Sequence, residues 1–380
     1  MQITSIALSV FELPSNTGQF DLVEEIHGAR RRWVRRHHGS RRDELHVLHV
    51  RTDEGIEGIS TVGDARYTKI RREDLQQLRI LTLGENPLNR ERLNSKLHAA
   101  TRGMFAKPGW FGAFDNCLWD IAGKAAGLPV WALLGRARDR CPAYYNYGGD
   151  TEASTVVNAL AAVELGFPAL KDHFSGPPRE NIARCEAVRA AVGPEVDLLH
   201  DAVLANYGFG EAVEVGHALE DLGFGWIEEP LPDAELVQLQ RLCSHLDLPV
   251  MALETLMHDH VLSAQYLLTG ATDLIRANAR HGTTGVLKLA HLAQAHGTTV
   301  ELNGPGGLFG LIHAHLACAI RNTQYYEYFP GGSRDEAGKA IGLLNPSVPV
   351  DGHIVPPDGP GWGAEWDFAW FERQRVTINR

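Results

Sequence analysis

Nowhere in the chain is there a run of about 20 apolar residues, so no segment reads as a membrane span. Cysteine is scarce as well. Cys117, Cys141, Cys185, Cys243 and Cys318 are scattered, odd in number and never paired as CxxC, which excludes a disulfide framework or zinc knuckle and fits a reducing cytoplasm. No basic leader precedes the strand-like alternation of Met1 to Leu13, so secretion is not expected either. Positive charge is in deficit: Lys and Arg number 36 against 47 Asp and Glu, a formal net charge of -11, which argues against nucleic acid and anionic membranes as partners. No GxGxxG follows an early strand, and no stretch is of low complexity.

What is present is the composition of a globular protein, 44% hydrophobic and 22% charged. A chain of 380 residues exceeds one ordinary core, so a barrel-sized domain with a smaller partner is expected. The first 70 or so residues alternate like a meander, with Asp53-Glu54-Gly55 as a turn between strands. Helical periodicity follows from about 72 to 136, broken at Gly127-Leu128-Pro129. After Cys141, short apolar strands and amphipathic helices alternate, with strands expected near 142–147, 167–172, 196–201, 224–229, 249–254, 273–278, 298–303 and 323–327. This predicts an α/β fold, a TIM-type (β/α)7β barrel over 137–350, behind an α+β capping domain over 1–136. The Pro/Gly-rich and then aromatic tail, 351–380, is expected to pack back on the capping domain.

In such a barrel the active site lies at the carboxyl ends of the strands, so strand-end residues one βα unit apart converge. Asp201 ends "VDLLHD", Glu228 ends "FGWIE" and Glu254 ends "PVMALE", spaced 27 and 26 residues apart. A single carboxylate after a strand is often only a helix N-cap. Three at one phase are a site signal, and an all-oxygen set suits Mg²⁺.

Several strings, in order along the chain, resemble the enolase superfamily, and within it the mandelate racemase-like acid-sugar dehydratases. They are "TDEGIEGIS", "NCLWDIAGKAAGLPVWALLG", "GWIEEP", "GTTGVLKLAHLAQAHG" and "RNTQYYE". The resemblance implies a capping domain over a barrel, Mg²⁺ held by Asp201, Glu228 and Glu254, and proton abstraction next to a substrate carboxylate. The family's second barrel strand ends in Lys-x-Lys; here "ALKDH" places Lys171 first and His173 where the second lysine would be, and both are the expected acid–base groups. Glu229 is expected to point away from the metal, by strand alternation with Glu228.

Departures from the pattern shape the expected reaction. The Asp and His that end the sixth and seventh strands in racemases are replaced by Asn278 and Asn303, and an amide is no general base. His281, or a residue one place away, could still bring a base to that side. The stretch 30–42, with Arg30, Arg31, Arg32, Arg35, Arg36, Arg41, Arg42, His37, His38 and Trp33, falls where the family has a mobile capping loop. It is either a lid that grips an anionic substrate or a solvated or oligomer-facing loop. Asn278, Asn303, Glu327, Arg32 and Arg35 are therefore the expected substrate contacts. A syn elimination can use one face, which makes dehydration of a sugar acid to a 2-keto-3-deoxy acid the leading expectation. A racemase, epimerase or cycloisomerase is the alternative among enzymes, and an inactive metal-binding homologue, serving as sensor or subunit, the alternative outside them. A homo-oligomer is expected.

Overall fold

The computed structural model describes the chain except residues 16–18, 28–29, 40, 65–68, 257–258, 332–333 and 380, and gives the backbone alone at 15, 19, 27, 30, 32, 37, 38 and 41. Strands β1 (Ile3–Ser15), β2 (Gln19–His27), β3 (Arg30–His38), β4 (Arg41–Thr52) and β5 (Glu57–Val62) come first. The expected turn sits between β4 and β5, with Gly55 at φ 78. Helices α1 (Arg72–Thr82), α2 (Arg90–Met104), α3 (Phe111–Ala126) and α4 (Val130–Leu133) follow, α3 ending on Gly127 at φ 65.

The barrel strands are β6 (Cys141–Asn146), β7 (Ala169–Asp172), β8 (Asp197–Asp201), β9 (Ile227–Glu228), β10 (Val250–Ala252), β11 (Leu274–Ala277), β12 (Val300–Leu302) and β13 (Tyr326–Tyr328). Between them lie α5 (Glu152–Glu164), α6 (Pro178–Val192), α7 (Phe209–Asp221), α8 (Leu236–Cys243), α9 (His260–Leu268), α10 (Thr283–His296) and α11 (Leu311–Ala319). All neighbours from β6 to β12 pair in order and in parallel, and β13 returns to pair with β6. The gap between β12 and β13 is bridged by Val300 N–H donating to the Asn322 carbonyl at 2.9 Å. The expected (β/α)7β order is thus the observed one. The chain continues through β14 (His353–Ile354) and α12 (Phe368–Gln374) to β15 (Thr377–Asn379), which pairs antiparallel with β1 to give a sheet ordered β15-β1-β4-β5.

Inside the barrel, alternation stacks side chains in layers. Tyr144, Ala169, Leu199, Trp226, Met251, Leu274 and Tyr325 form an apolar layer. Two residues further along most of these strands come Asn146, Lys171, Asp201, Glu228, Arg276 and Glu327, all buried.

Helix α3 locks the cap to the barrel. Asn116 Nδ2 donates to the Ala279 carbonyl at 2.8 Å, and the Asn116 and Asp115 side chains accept the Thr283 and Thr284 backbone N–H groups at 3.1 and 2.8 Å. The contact is so close that a Cβ at Gly112 would lie 2.0 Å from the Arg280 carbonyl oxygen. The cap therefore grips the segment that follows the sixth barrel strand.

One expectation is corrected. The basic stretch is a regular hairpin, not a loop: β2 and β3 pair antiparallel from Gln19↔His38 to His27↔Arg30, and Arg41 and Arg42 open β4. Among the described residues it is tied to the barrel by Asn206 Nδ2, which donates to the Trp33 carbonyl at 2.8 Å, and Arg31 lines a cleft with Pro177 and Tyr207. No helix among the described residues is long and apolar enough to cross a membrane.

Candidate active site at the barrel mouth

Lys171 occupies the centre. Its ammonium lies among three carboxylates, donating to Glu228 Oε2 at 2.7 Å, with Nζ also 2.8 Å from Glu327 Oε1 and 3.2 Å from Asp201 Oδ2. Burial works against the ammonium, but Glu228 and Glu327 outweigh it and hold its pKa well above the usual lysine value. Asp201 is pulled far below the carboxylate range against its burial, by His173 and Lys171, and Glu327 likewise by Lys171 and Arg276.

His173 stands one residue beyond β7, 29% exposed, with Nε2 3.0 Å from Asp201 Oδ2 and its ring 6.4 Å from that of Phe329. It is the more accessible of the two expected acid–base groups, since Lys171 is enclosed.

Arg276 was not singled out from the sequence. It is fully buried two residues before Asn278, on the same inward phase, and its Nη2 donates to Glu327 Oε2 at 2.9 Å. Its Nε lies 2.7 Å from Glu228 Oε1 and 3.8 Å from Glu254 Oε2. The first contact is close in charge yet not aligned as a hydrogen bond, so Glu228 Oε1 is buried with no hydrogen-bond donor. The signal available in the sequence was an arginine within "LIRA", in phase with a strand-end candidate.

Glu254 is brought to the mouth by a break in alternation. Leu253 takes φ 92, a conformation unfavourable for a residue with a branched side chain. Buried Asp233 holds it there, accepting from Leu253 N–H at 2.6 Å and Thr255 N–H at 2.8 Å. Asn303 then donates to Glu254 Oε2 at 2.8 Å, and Asn278 donates to the Asn303 carbonyl and, at 3.1 Å, to its Oδ1.

The expectation for Glu229 is overturned. Strand β9 ends at Glu228, and Glu229 takes φ 47, so alternation no longer governs its side chain. Ligand atoms of Glu228, Glu229 and Glu254 lie within 4.8 Å of one another, whereas Asp201 is turned to Lys171 and His173. Burial, with Asp201 and Glu228 close by, drives the Glu229 pKa well up.

The donor set around this cluster is oxygen only, and Glu228 Oε1 offers a lone pair no N–H occupies, which fits a hard divalent cation. Of the remaining expected contacts, Arg35 is exposed with its guanidinium 5.0 Å from the Phe20 ring centre in the hairpin, and the Arg32 side chain lies outside the described residues. His281 accepts from Arg280 Nε at 3.2 Å and lines a cleft with His98, Lys107 and His260, between the cap helices and α10.

Residues 30–135 match the family model for the mandelate racemase / muconate lactonizing enzyme N-terminal domain, and residues 155–370 match the enolase C-terminal domain-like model. The chain belongs to the enolase superfamily. Among relatives in this superfamily, arabinonate dehydratase of Saccharolobus solfataricus is 29% identical over 66% of this chain and 67% of that protein. D-gluconate dehydratase of Thermoproteus tenax is 31% identical over 70% of this chain, an alignment that spans only 56% of the relative. The structure of D-glucarate dehydratase from Agrobacterium tumefaciens complexed with magnesium superposes over 99% of this chain and 100% of that one, with a TM-score of 0.83 and 30% identity.

Proposed function

We propose that the protein is a Mg²⁺-dependent dehydratase of a sugar acid. The observation that carries this reading is the placement of His173 beside Asp201 at one side of the mouth, while the ends of β11 and β12 supply the amides Asn278 and Asn303. Asp201, Glu228 and Glu254, with Glu229 beside them, would hold the ion. Mg²⁺, when bound, supplies positive charge against which a substrate carboxylate can accept the electrons left by its neighbouring C–H bond.

In this reading the Cα–H proton goes to His173 Nδ1, the ring nitrogen not held by Asp201, and is returned to the 3-hydroxyl as that C–O bond breaks, so one water leaves and the enol becomes a 2-keto-3-deoxy acid. Lys171, enclosed with its ammonium among the carboxylates of Asp201, Glu228 and Glu327, stabilises negative charge and does not accept the proton. Glu327 fixes Lys171 and Arg276, and Asn303 orients Glu254. The named dehydratases among the relatives support the reaction class, and the magnesium complex of the glucarate dehydratase supports the ion.

The test is a set of mono- and diacid sugars incubated with enzyme and Mg²⁺ in D2O, with keto acid and α-deuterium both measured. Keto-acid formation is expected. Deuterium entering the recovered acid without keto acid would point to epimerisation, and neither signal from any acid would overturn the assignment.

Two further outcomes follow from the same site. Glu229→Gln should weaken Mg²⁺ about tenfold by calorimetric titration, the lower range for groups that support metal ligands; unchanged affinity would remove Glu229 from the metal's surroundings. If the hairpin closes on an anionic substrate, Arg31→Ala/Arg35→Ala should raise KM roughly tenfold and flatten its salt dependence, with kcat held. Unchanged kinetics would make the hairpin a solvated face.

A further inference from the structure

The rung just behind the proposed base is polar where a barrel wall ordinarily packs apolar side chains on its helices. Asp172 and His200 are cross-strand partners on β7 and β8, both with no exposed surface. Alternation turns them outward, toward α6, while their neighbours Lys171 and Asp201 turn inward.

These groups form a chain with consistent polarity. Asn181 Nδ2 donates to the Tyr207 hydroxyl oxygen at 2.6 Å, Tyr207 O–H lies 3.4 Å from His200 Nε2, and His200 Nδ1 lies 2.8 Å from Asp172 Oδ1. Both ends of the chain hold the segment after β7. Asp172 Oδ1 accepts the Phe174 N–H at 3.1 Å, and Asn181 Nδ2 donates to the Phe174 and Gly176 carbonyls at 3.5 and 2.9 Å. His173 is the residue bracketed between them.

We infer that Asp172 and His200 are positioning residues, which fix the end of the second barrel strand so that His173 meets Asp201 and the substrate in one orientation. The inference rests on the reading of His173 as the base. A buried polar pair adds little net stability compared with apolar side chains of similar volume, but it specifies geometry through directed hydrogen bonds. A catalytic group displaced by about 1 Å can lose a hundredfold in rate. The rung also joins the two strands that carry His173 and its 3.0 Å partner, so one staple sets both halves of that contact.

The test is kinetic, on the Mg²⁺-loaded full chain with whichever sugar acid it turns over. His200→Leu removes the donor to Asp172, and His200→Asn restores one near the Nδ1 position. His200→Leu should lower kcat by roughly ten- to a hundredfold while KM and Mg²⁺ affinity hold, and His200→Asn should recover most of the loss. In a His173→Asn background, His200→Leu should add no further loss. An equal loss in both backgrounds, or a change in KM or Mg²⁺ affinity with kcat held, overturns the positioning role. Full kcat in His173→Asn itself would instead overturn the base, and the positioning role with it. Should His200→Leu fail to fold, the isosteric Asp172→Asn is judged by the same cycle.

Discussion

Glu228→Gln is expected to lower kcat by roughly a thousandfold or more, which corresponds to about 4 kcal/mol of transition-state stabilisation. The size follows from what one carboxylate does here. Glu228 is fully buried, with Oε2 on Lys171 and Oε1, beside Arg276, without a hydrogen-bond donor. An amide removes one ligand charge and leaves two buried cations short of a counter-charge. Asp201→Asn and Glu254→Gln should act in the same direction. Mg²⁺ should raise the melting temperature of the wild-type protein, by binding the folded state alone, and raise that of Glu228→Gln far less. Full activity in Glu228→Gln would remove the metal assignment.

His173→Asn and Lys171→Met should each lower kcat at least about a hundredfold, the scale of a positioned acid–base or charge-stabilising group. The two losses differ in kind. His173→Asn deletes the proton acceptor, and the washing of deuterium into the substrate should vanish with it. Lys171→Met leaves Asp201, Glu228 and Glu327 without their shared ammonium, so circular dichroism must first show an intact fold. Asn278→Ala should change kcat far less, because its contacts are with Asn303 and the Arg280 N–H. Asn303→Ala should fall between them, about tenfold, through its hold on Glu254. A loss in Asn278→Ala equal to that in His173→Asn would reopen chemistry on both faces.

The barrel was legible in the sequence because each strand is a short apolar run between turn signals, and burial on two sides leaves little else such a run can be. The carboxylates at 201, 228 and 254 were expected from strand-end spacing and the resemblance; the structure gathers Glu228 and Glu254 with Glu229 and turns Asp201 to Lys171 and His173. Glu229 was misread because alternation holds only within a strand, and its positive φ lies one residue past the end of β9. Arg276 was passed over because charge inside a barrel is unexpected, and nothing local tells an inward arginine from an outward one until the neighbouring strands supply Glu228 and Glu327. The hairpin was read as a loop for a different reason. Its apolar residues Phe20, Leu22, Ile26 and Trp33 are exposed, so burial imposed no pattern, and the arginines of β3 obscured the alternation.

The pairing of β15 with β1 brings Leu8 opposite Asn379, the most distant partners in the chain. During synthesis the ribosome must therefore deliver the whole barrel before the outer edge of the first sheet is covered. Until then β1 offers an open row of N–H and C=O groups to any other strand, a known route to misassembly. A chain ended before Thr377 should fold its barrel and yet aggregate, with the nascent cap rather than the catalytic domain as the sticky part.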